Sequence, residues 1–369
     1  MLTVYREYSY LMLNRWFKNF GKRATPALPV PQILDQCRER LAQAKFEEAI
    51  RTLDGLLARA PDIEEAWFLR GTAFLESGNP TRALPDLARA ADMAPAEPRY
   101  QYNLAVAHWM QNDSDEAARC CRKALELNND FPQAHILLAN ASLPGEPYTA
   151  LLARIQQHLR PRTYLEIGVF KGESIKLAQP TTLALGVDPH PKLPYAPPPN
   201  MRIYAQTSDD FFARSDLGEQ LQGLPLDLGF IDGMHYFDFA LRDFINMERL
   251  SAPGSTILVH DCFPLDRYTA ARERVTDFWS GDVWRLVVLL KKYRPDLAVN
   301  VIATPVTGLG LIRNLDPSSR ILADNLAGIC EEFMGLDYAV LDEDKVGQLN
   351  LFPNDWEKVK TLLDANYFS

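Results

Sequence analysis

Equivalent residues return every 34 positions through the first third of this chain. Pro61 and Pro95 are 34 residues apart, and Asn129 holds the next equivalent place. Ala49, Ala83 and Ala117 keep the same spacing, as do the small residues Gly71, Ala105 and Ala139. Ala90 and Ala124 repeat too, with Leu56 one period earlier. A fixed period of this length demands a stack of like units, each burying its apolar face against its neighbours. Small residues at matched places let the two helices of a unit approach closely, and the proline ends the second helix. Gly78–Asn79–Pro80 predicts the turn inside the second unit. The period therefore predicts three helical hairpins over residues 30–131 and a capping helix over 133–142. Pro85 falls early in a predicted helix and is at odds with it.

This arrangement resembles the tetratricopeptide repeat, with Trp67, Gly71, Phe74, Ala83, Leu87, Ala90 and Pro95 at the family's signature spacings. The resemblance implies a concave surface that grips a protein or peptide partner, or that serves self-association. A packing platform with no ligand is the alternative, and spacing alone does not separate the two.

Composition narrows the rest. With 369 residues, 47% hydrophobic and 24% charged, the chain has ordinary globular character and room for two or three domains. A net charge of −9 argues against general nucleic-acid binding, which needs a basic surface. Five scattered cysteines with no CxxC pair exclude a zinc ribbon and a disulfide framework, and place the chain in a reducing, cytoplasmic compartment. There is no run of about 18 apolar residues, so no transmembrane segment is expected, and no signal peptide is read at the start. Residues 1–29 form a basic, aromatic segment, with Arg6, Arg15, Lys18, Lys22 and Arg23 against Glu7. A helix packing Trp16, Phe17 and Phe20 on the next domain is favoured there over a membrane-surface helix.

Beyond the breaker-rich linker Ser142–Tyr148 the pattern changes. Short apolar runs at 163–167, 183–187, 201–205, 227–231, 255–259, 298–303 and 308–313 alternate with helical or loop segments. Such alternation predicts a parallel sheet covered on both faces, with ligands at the carboxyl ends of its strands. The first strand runs into Glu166–Ile–Gly168–Val–Phe170–Lys–Gly172–Glu–Ser174. Glycines at a strand-to-helix turn let a ligand approach the backbone, and a following helix would offer free amides. The second strand ends in Asp188, twenty residues beyond Gly168, where a carboxylate can accept ribose hydroxyls. Phe170 stands where a dinucleotide fingerprint needs its middle glycine, and Glu166 would repel phosphates. A nucleoside with a positive charge and no phosphate suits this turn, which points to S-adenosyl-L-methionine and away from a nucleotide-diphosphate glycosyltransferase.

The stretches YLEIGVFKGES, LALGVDPHP, IYAQTSDDFF, LGFIDGMHYFDFALRDF and GSTILVHDCFP together resemble the class I S-adenosylmethionine-dependent methyltransferases, over roughly 150–315. The likeness is greatest to the sugar and macrolide O-methyltransferase branch, which shares the departure at Phe170. It implies a Rossmann-like domain with a mostly parallel seven-stranded sheet, so that the whole chain reads as α + α/β. It also implies that Glu166, Gly168, Gly172 and Ser174 surround the methionine end. Asp188 would then hold the ribose, and Thr207, Ser208 and Asp209 would match the adenine place. Six prolines between 189 and 199 predict a loop in place of the usual crossover helix.

The fourth strand ends in Asp232–Gly–Met–His235 and the fifth in His260–Asp261–Cys262. Adjacent parallel strands would bring these groups to one rim. Two carboxylates and a histidine suit a hard divalent cation, Mg2+ above all. Asp232, Asp261 and His260 are the candidate metal ligands, although the branch has a second acid where this chain has His260. His235 matches the proposed base of the macrolide enzymes, so His235 and Asp232 are the catalytic candidates. Each also has a plain structural reading: Asp232 as a helix cap and His260 as a packed histidine. Residues 316–369 read as a helical extension that either closes over the acceptor or packs on the sheet. The reading that follows is methyl transfer to a small-molecule or sugar hydroxyl. The alternative is a repeat scaffold bearing an inactive methyltransferase-like domain.

Overall fold

The computed structural model describes residues 28–365. The segment 1–27, which holds the basic, aromatic stretch, lies outside them. The chain divides into two compact units at Ser142/Leu143.

The first unit is a run of helical hairpins: α1 (Val30–Ala42) with α2 (Phe46–Leu57), α3 (Glu64–Glu76) with α4 (Pro80–Met93), and α5 (Pro98–Met110) with α6 (Ser114–Leu127). A seventh helix, α7 (Pro132–Ser142), closes the unit. The repeating small residues sit where helices meet. A methyl group on Gly71 would come within 2.6 Å of Leu87 Cγ, so α3 and α4 can be this close only with glycine there. Ala49, Ala83, Ala105, Ala117 and Ala139 are fully buried. Asn79 caps α4 by accepting the Arg82 amide at 3.2 Å, and Pro80 opens the helix where no donor is missed. Pro85 lies within α4 and forgoes one helical hydrogen bond.

The second unit begins with α8 (Tyr148–Leu159) and then builds one eight-stranded sheet in the order β3-β2-β1-β4-β5-β7-β6-β8. The strands are β1 (Thr163–Ile167), β2 (Leu183–Val187), β3 (Met201–Tyr204), β4 (Leu226–Ile231), β5 (Ser251–His260), β6 (Ala298–Ile302), β7 (Leu309–Arg313) and β8 (Leu351–Phe352). All pairings are parallel except those of β7 with β5 and with β6. Between the strands lie α9 (Ser208–Phe212), α10 (Leu217–Gln220), α11 (Phe237–Leu250) and α12 (Trp284–Tyr293). After β7 come α13 (Ile321–Asp324), α14 (Leu326–Met334), α15 (Ala339–Leu349) and, past β8, α16 (Trp356–Asp364).

Two expectations change. The sheet has eight strands where seven were expected, because Leu351 and Phe352 pair with Val301 and Ile302 at its edge. That edge strand lies within the segment read as a helical extension, and Asp355 then caps α16 by accepting the Lys358 amide at 3.1 Å. The helix expected after β1 shrinks to a single 3-10 turn, Ile175–Leu177. Pro180 bars its predecessor from helical geometry, so only a few residues remain between the glycine turn and β2. The proline-rich stretch 189–199 is a loop.

The core lies on both faces of the sheet, as period-two alternation requires. Leu165, Ile167, Leu185, Val187 and Ile257 face the layer of α11, α12, α14 and α15. Tyr164, Ala184, Leu228, Phe230 and Leu258 face Leu151, Leu152 and Ile155 of α8 and Val359 and Leu363 of α16. Sandwiched so, the sheet presents its strand ends, and the carboxyl ends of β1, β2, β3, β4 and β5 carry the candidate residues.

Candidate functional site

Gly168, just past β1, has φ +91°, and any side chain there would overlap the Asp232 carbonyl after β4. Glycine is required because two strand-end loops touch at this point. Gly172 has φ +72°, and its carbonyl accepts the Tyr195 hydroxyl at 2.8 Å. Three residues with side chains also adopt the left-handed region here: Phe170 (φ 44°), His235 (φ 57°) and Asp261 (φ 60°). Such backbone is uncommon away from glycine and clusters at functional sites.

Glu166 is fully buried. Its carboxylate accepts the Tyr164 hydroxyl at 2.6 Å and the Ser174 hydroxyl at 2.7 Å. Burial pushes its pKa up to about 8, against the lowering effect of those two donors. Asp188 accepts two backbone amides: Phe170 N–H on one oxygen and His190 N–H on the other, each at 2.7 Å. It therefore ties the glycine turn to the end of β2 while each oxygen keeps a further lone pair. Asp209 pairs with Arg242 at 2.9 Å, and Thr207 caps α9. Ser208 faces Asp243 of α11, whose pKa burial raises to about 7. The other Asp243 oxygen, Oδ1, is buried without a partner.

The ends of β4 and β5 meet in a cleft lined by Asp232, His235, Asp243, His260, Asp261 and Val283. His260 Nδ1 stands 3.1 Å from Asp232 Oδ1 and 3.4 Å from Asp261 Oδ2. Its Nε2 lies 3.3 Å from Thr307 Oγ1, and its ring packs on Tyr148 at 4.2 Å. Burial alone would lower the His260 pKa, but the two carboxylates raise it well above the usual range. Burial would raise that of Asp261, and the two imidazoles hold it well below the ordinary range. His235 Nδ1 is 3.1 Å from Asp261 Oδ2, an ion-pair approach without hydrogen-bond alignment. The structure thus gathers Asp232, His235, His260 and Asp261 at one rim. The three whose donor atoms all lie within 4.8 Å of one another are Asp232, His235 and Asp261. His260 bridges the two carboxylates.

Sequence reasoning passed over the residues that brace His235. Trp279 stacks on its ring at 5.4 Å with an 11° interplanar angle. Gly281 (φ +66°) leaves room for its carbonyl, which accepts the Asp282 amide at 3.1 Å. Asp282 is fully buried, accepts the Phe237 amide and pairs with Arg272 and Arg285. One signal was present for Asp243: an acid beside the apolar stripe Phe237, Ala240, Leu241 and Phe244. Cys262 is buried, and burial raises its thiol pKa, which disfavours the reactive thiolate.

Comparison with known proteins follows this division. Residues 34–98 and 70–132 match the tetratricopeptide repeat family, and residues 165–262 match a methyltransferase domain family. The chain joins tetratricopeptide repeats to a methyltransferase domain. No curated protein matches it. Among solved structures it is similar to MamA from Desulfovibrio magneticus RS-1, at 19% identity and TM-score 0.30, covering 37% of this chain and 73% of that one. It is also similar to the first tetratricopeptide domain of human RPAP3, at 18% identity and TM-score 0.29, covering 30% of this chain and 87% of that one. A third likeness is to the Yersinia enterocolitica type III secretion chaperone SycD, solved with a peptide of the translocator YopD. Its identity is 18% and its TM-score 0.29, over 31% of this chain and 92% of that one. No helix of the described residues is long and apolar enough to cross a membrane.

Proposed function

We propose that the methyltransferase domain moves a methyl group from S-adenosyl-L-methionine to a hydroxyl of a small molecule or sugar. The observation that carries this is the His235–Asp261 pair, 3.1 Å apart, on the same rim as the glycine turn tied by Asp188. The residues fit the cofactor. The lone pairs left on Asp188 suit ribose hydroxyls, and Ser208 and the unpartnered Asp243 Oδ1 offer polar groups to a base. Glu166, Gly168, Gly172 and Ser174 would surround the methionine end, and Asp209, paired with Arg242, would bound the adenine side.

S-adenosyl-L-methionine, when bound, supplies an electrophilic methyl group on a sulfonium. The protein positions the acceptor in line with it, the largest share of the rate. His235 takes the hydroxyl proton, and Asp261 stabilises the imidazolium so formed. His260, held between Asp232 and Asp261, keeps both carboxylates in place. A second reading rests on the Asp232, His235 and Asp261 donor set, which fits a divalent cation such as Mg2+. There these three residues would hold the cation, which would supply Lewis-acid lowering of the acceptor hydroxyl's pKa. The repeats, in either reading, hold a protein or peptide partner or a second copy of the chain.

Calorimetry with S-adenosylhomocysteine comes first. No heat would return the chain to the reading of a repeat scaffold with an inactive domain. Methyl transfer is then measured over sugar and phenolic acceptors. His235→Ala should lower turnover by about 10²–10⁴-fold with cofactor affinity nearly unchanged. If chelation abolishes the wild-type rate and Asp261→Ala costs more than His235→Ala, the cation reading holds. Wild-type turnover in His235→Ala excludes the base role.

A further inference from the structure

Three equivalent positions in each helical hairpin change chemistry from repeat to repeat, and in the second of them the acid, Asp86, is turned to Arg70 at 2.7 Å. In the first hairpin they are Arg40, Glu48 and Thr52, where Arg40 donates to Thr52 Oγ1 at 2.6 Å and lies 3.8 Å from Glu48. One period on they are Phe74, Arg82 and Asp86, with the Arg82 guanidinium over the Phe74 ring at 4.1 Å. In the third they are His108, Glu116 and Cys120, whose donor atoms all lie within 4.8 Å of one another. The fold accepts hydrocarbon, guanidinium or hydroxyl at these places, so nothing in the repeat requires imidazole, carboxylate and thiol together.

From this we infer that the third hairpin binds one Zn2+ through His108, Glu116 and Cys120. Glu116 and Cys120 are one helical turn apart on α6 and share a face. His108 comes from the last turn of α5, across a tight turn in which the Gln111 and Asp113 amides both bond the His108 carbonyl. The donors are thus brought together before any cation arrives. Nitrogen, oxygen and sulfur donors in a set of three suit Zn2+, which takes water or a further group as its fourth ligand. Asp113 Oδ2 stands 3.4 Å from His108 Nδ1, a carboxylate able to orient the ring. A cation already sits here: Arg119 donates to Glu116 at 2.7 Å, and its Nη2 is 3.9 Å from Cys120 Sγ. Its side chain is 60% exposed, so it can swing out when the metal enters. Cys120 is buried and would bind as its thiolate, so metal binding would release a proton. The bound ion would clamp α5 to α6.

The test is titration of the full, reduced chain with Co2+ and then displacement by Zn2+. The expected result is a thiolate-to-cobalt charge-transfer band saturating at one equivalent and erased by Zn2+. The rim of Asp232, His235 and Asp261 has no thiolate and cannot give this band. Cys120→Ser should abolish it, and so should His108→Phe, the residue that the second repeat carries at this place. Cys121→Ser should leave it intact. Asp113→Ala should weaken Zn2+ binding about 10–100-fold, and Arg119→Gln should tighten it by freeing Glu116. No band in the wild-type chain, or a band that survives Cys120→Ser, overturns the inference.

Discussion

Asp188 shows how one carboxylate can serve loop and ligand together. Its two oxygens hold the Phe170 and His190 amides, which fixes the turn after β1 against the end of β2. Asp188→Ala should therefore weaken S-adenosylhomocysteine binding by about 1.5–3 kcal/mol, as expected for a lost charged hydrogen-bond acceptor. Unchanged affinity by calorimetry would remove it from the ribose site. Glu166 makes a pH prediction. Its ordinary pKa is 4.5, and burial lifts it to about 8 in the folded chain. The folded state then holds a proton that the unfolded state has released. Stability falls as pH rises between these two values, and the loss is complete above the upper one. Glu166→Gln, which cannot ionise, should flatten that slope. Denaturant midpoints at pH 5 and pH 8 check this, and an equal pH-dependent loss in the variant would show that other groups set it.

At the scale of elements, residues 316–365 complete the sheet domain. They supply β8 at the sheet edge, and α16 lays Val359 and Leu363 on the face shared with Leu151, Leu152 and Ile155. Leu363 is 3% exposed, so Leu363→Ala should cost about 2–5 kcal/mol. Denaturant unfolding followed by sheet signal measures it, and a loss under about 0.5 kcal/mol, as at a surface position, would mean that α16 is not part of the core. Legibility differed between elements for physical reasons. β1 and β2 were read to the residue because their apolar runs are bounded by charge and proline. β8 was missed because two residues carry no periodic signal, and their pairing depends on an edge that β6 provides. The helix expected after β1 failed because Pro180 cut short the chain available for it.

For the whole molecule, every candidate cofactor residue lies in the unit that begins at Leu143. A chain trimmed to 143–369 should therefore bind S-adenosylhomocysteine with the affinity of the full protein. Circular dichroism must first show that it folds; loss of binding in a folded chain would mean that the repeats build the pocket. The sequence by itself determined the division into repeats and sheet domain, since a 34-residue period and alternating apolar runs are local patterns that survive in any context. It also determined the glycine turn and the aspartate twenty residues on, because both follow from backbone constraints within one strand-turn-strand unit. Only the tertiary structure decided that β7 enters antiparallel between β5 and β6, that His260 bridges two carboxylates, and that Asp243 meets Ser208. Apart from the His260–Asp261 contact, those relations join residues tens of positions apart, and burial between packed layers, which no local pattern encodes, selects them.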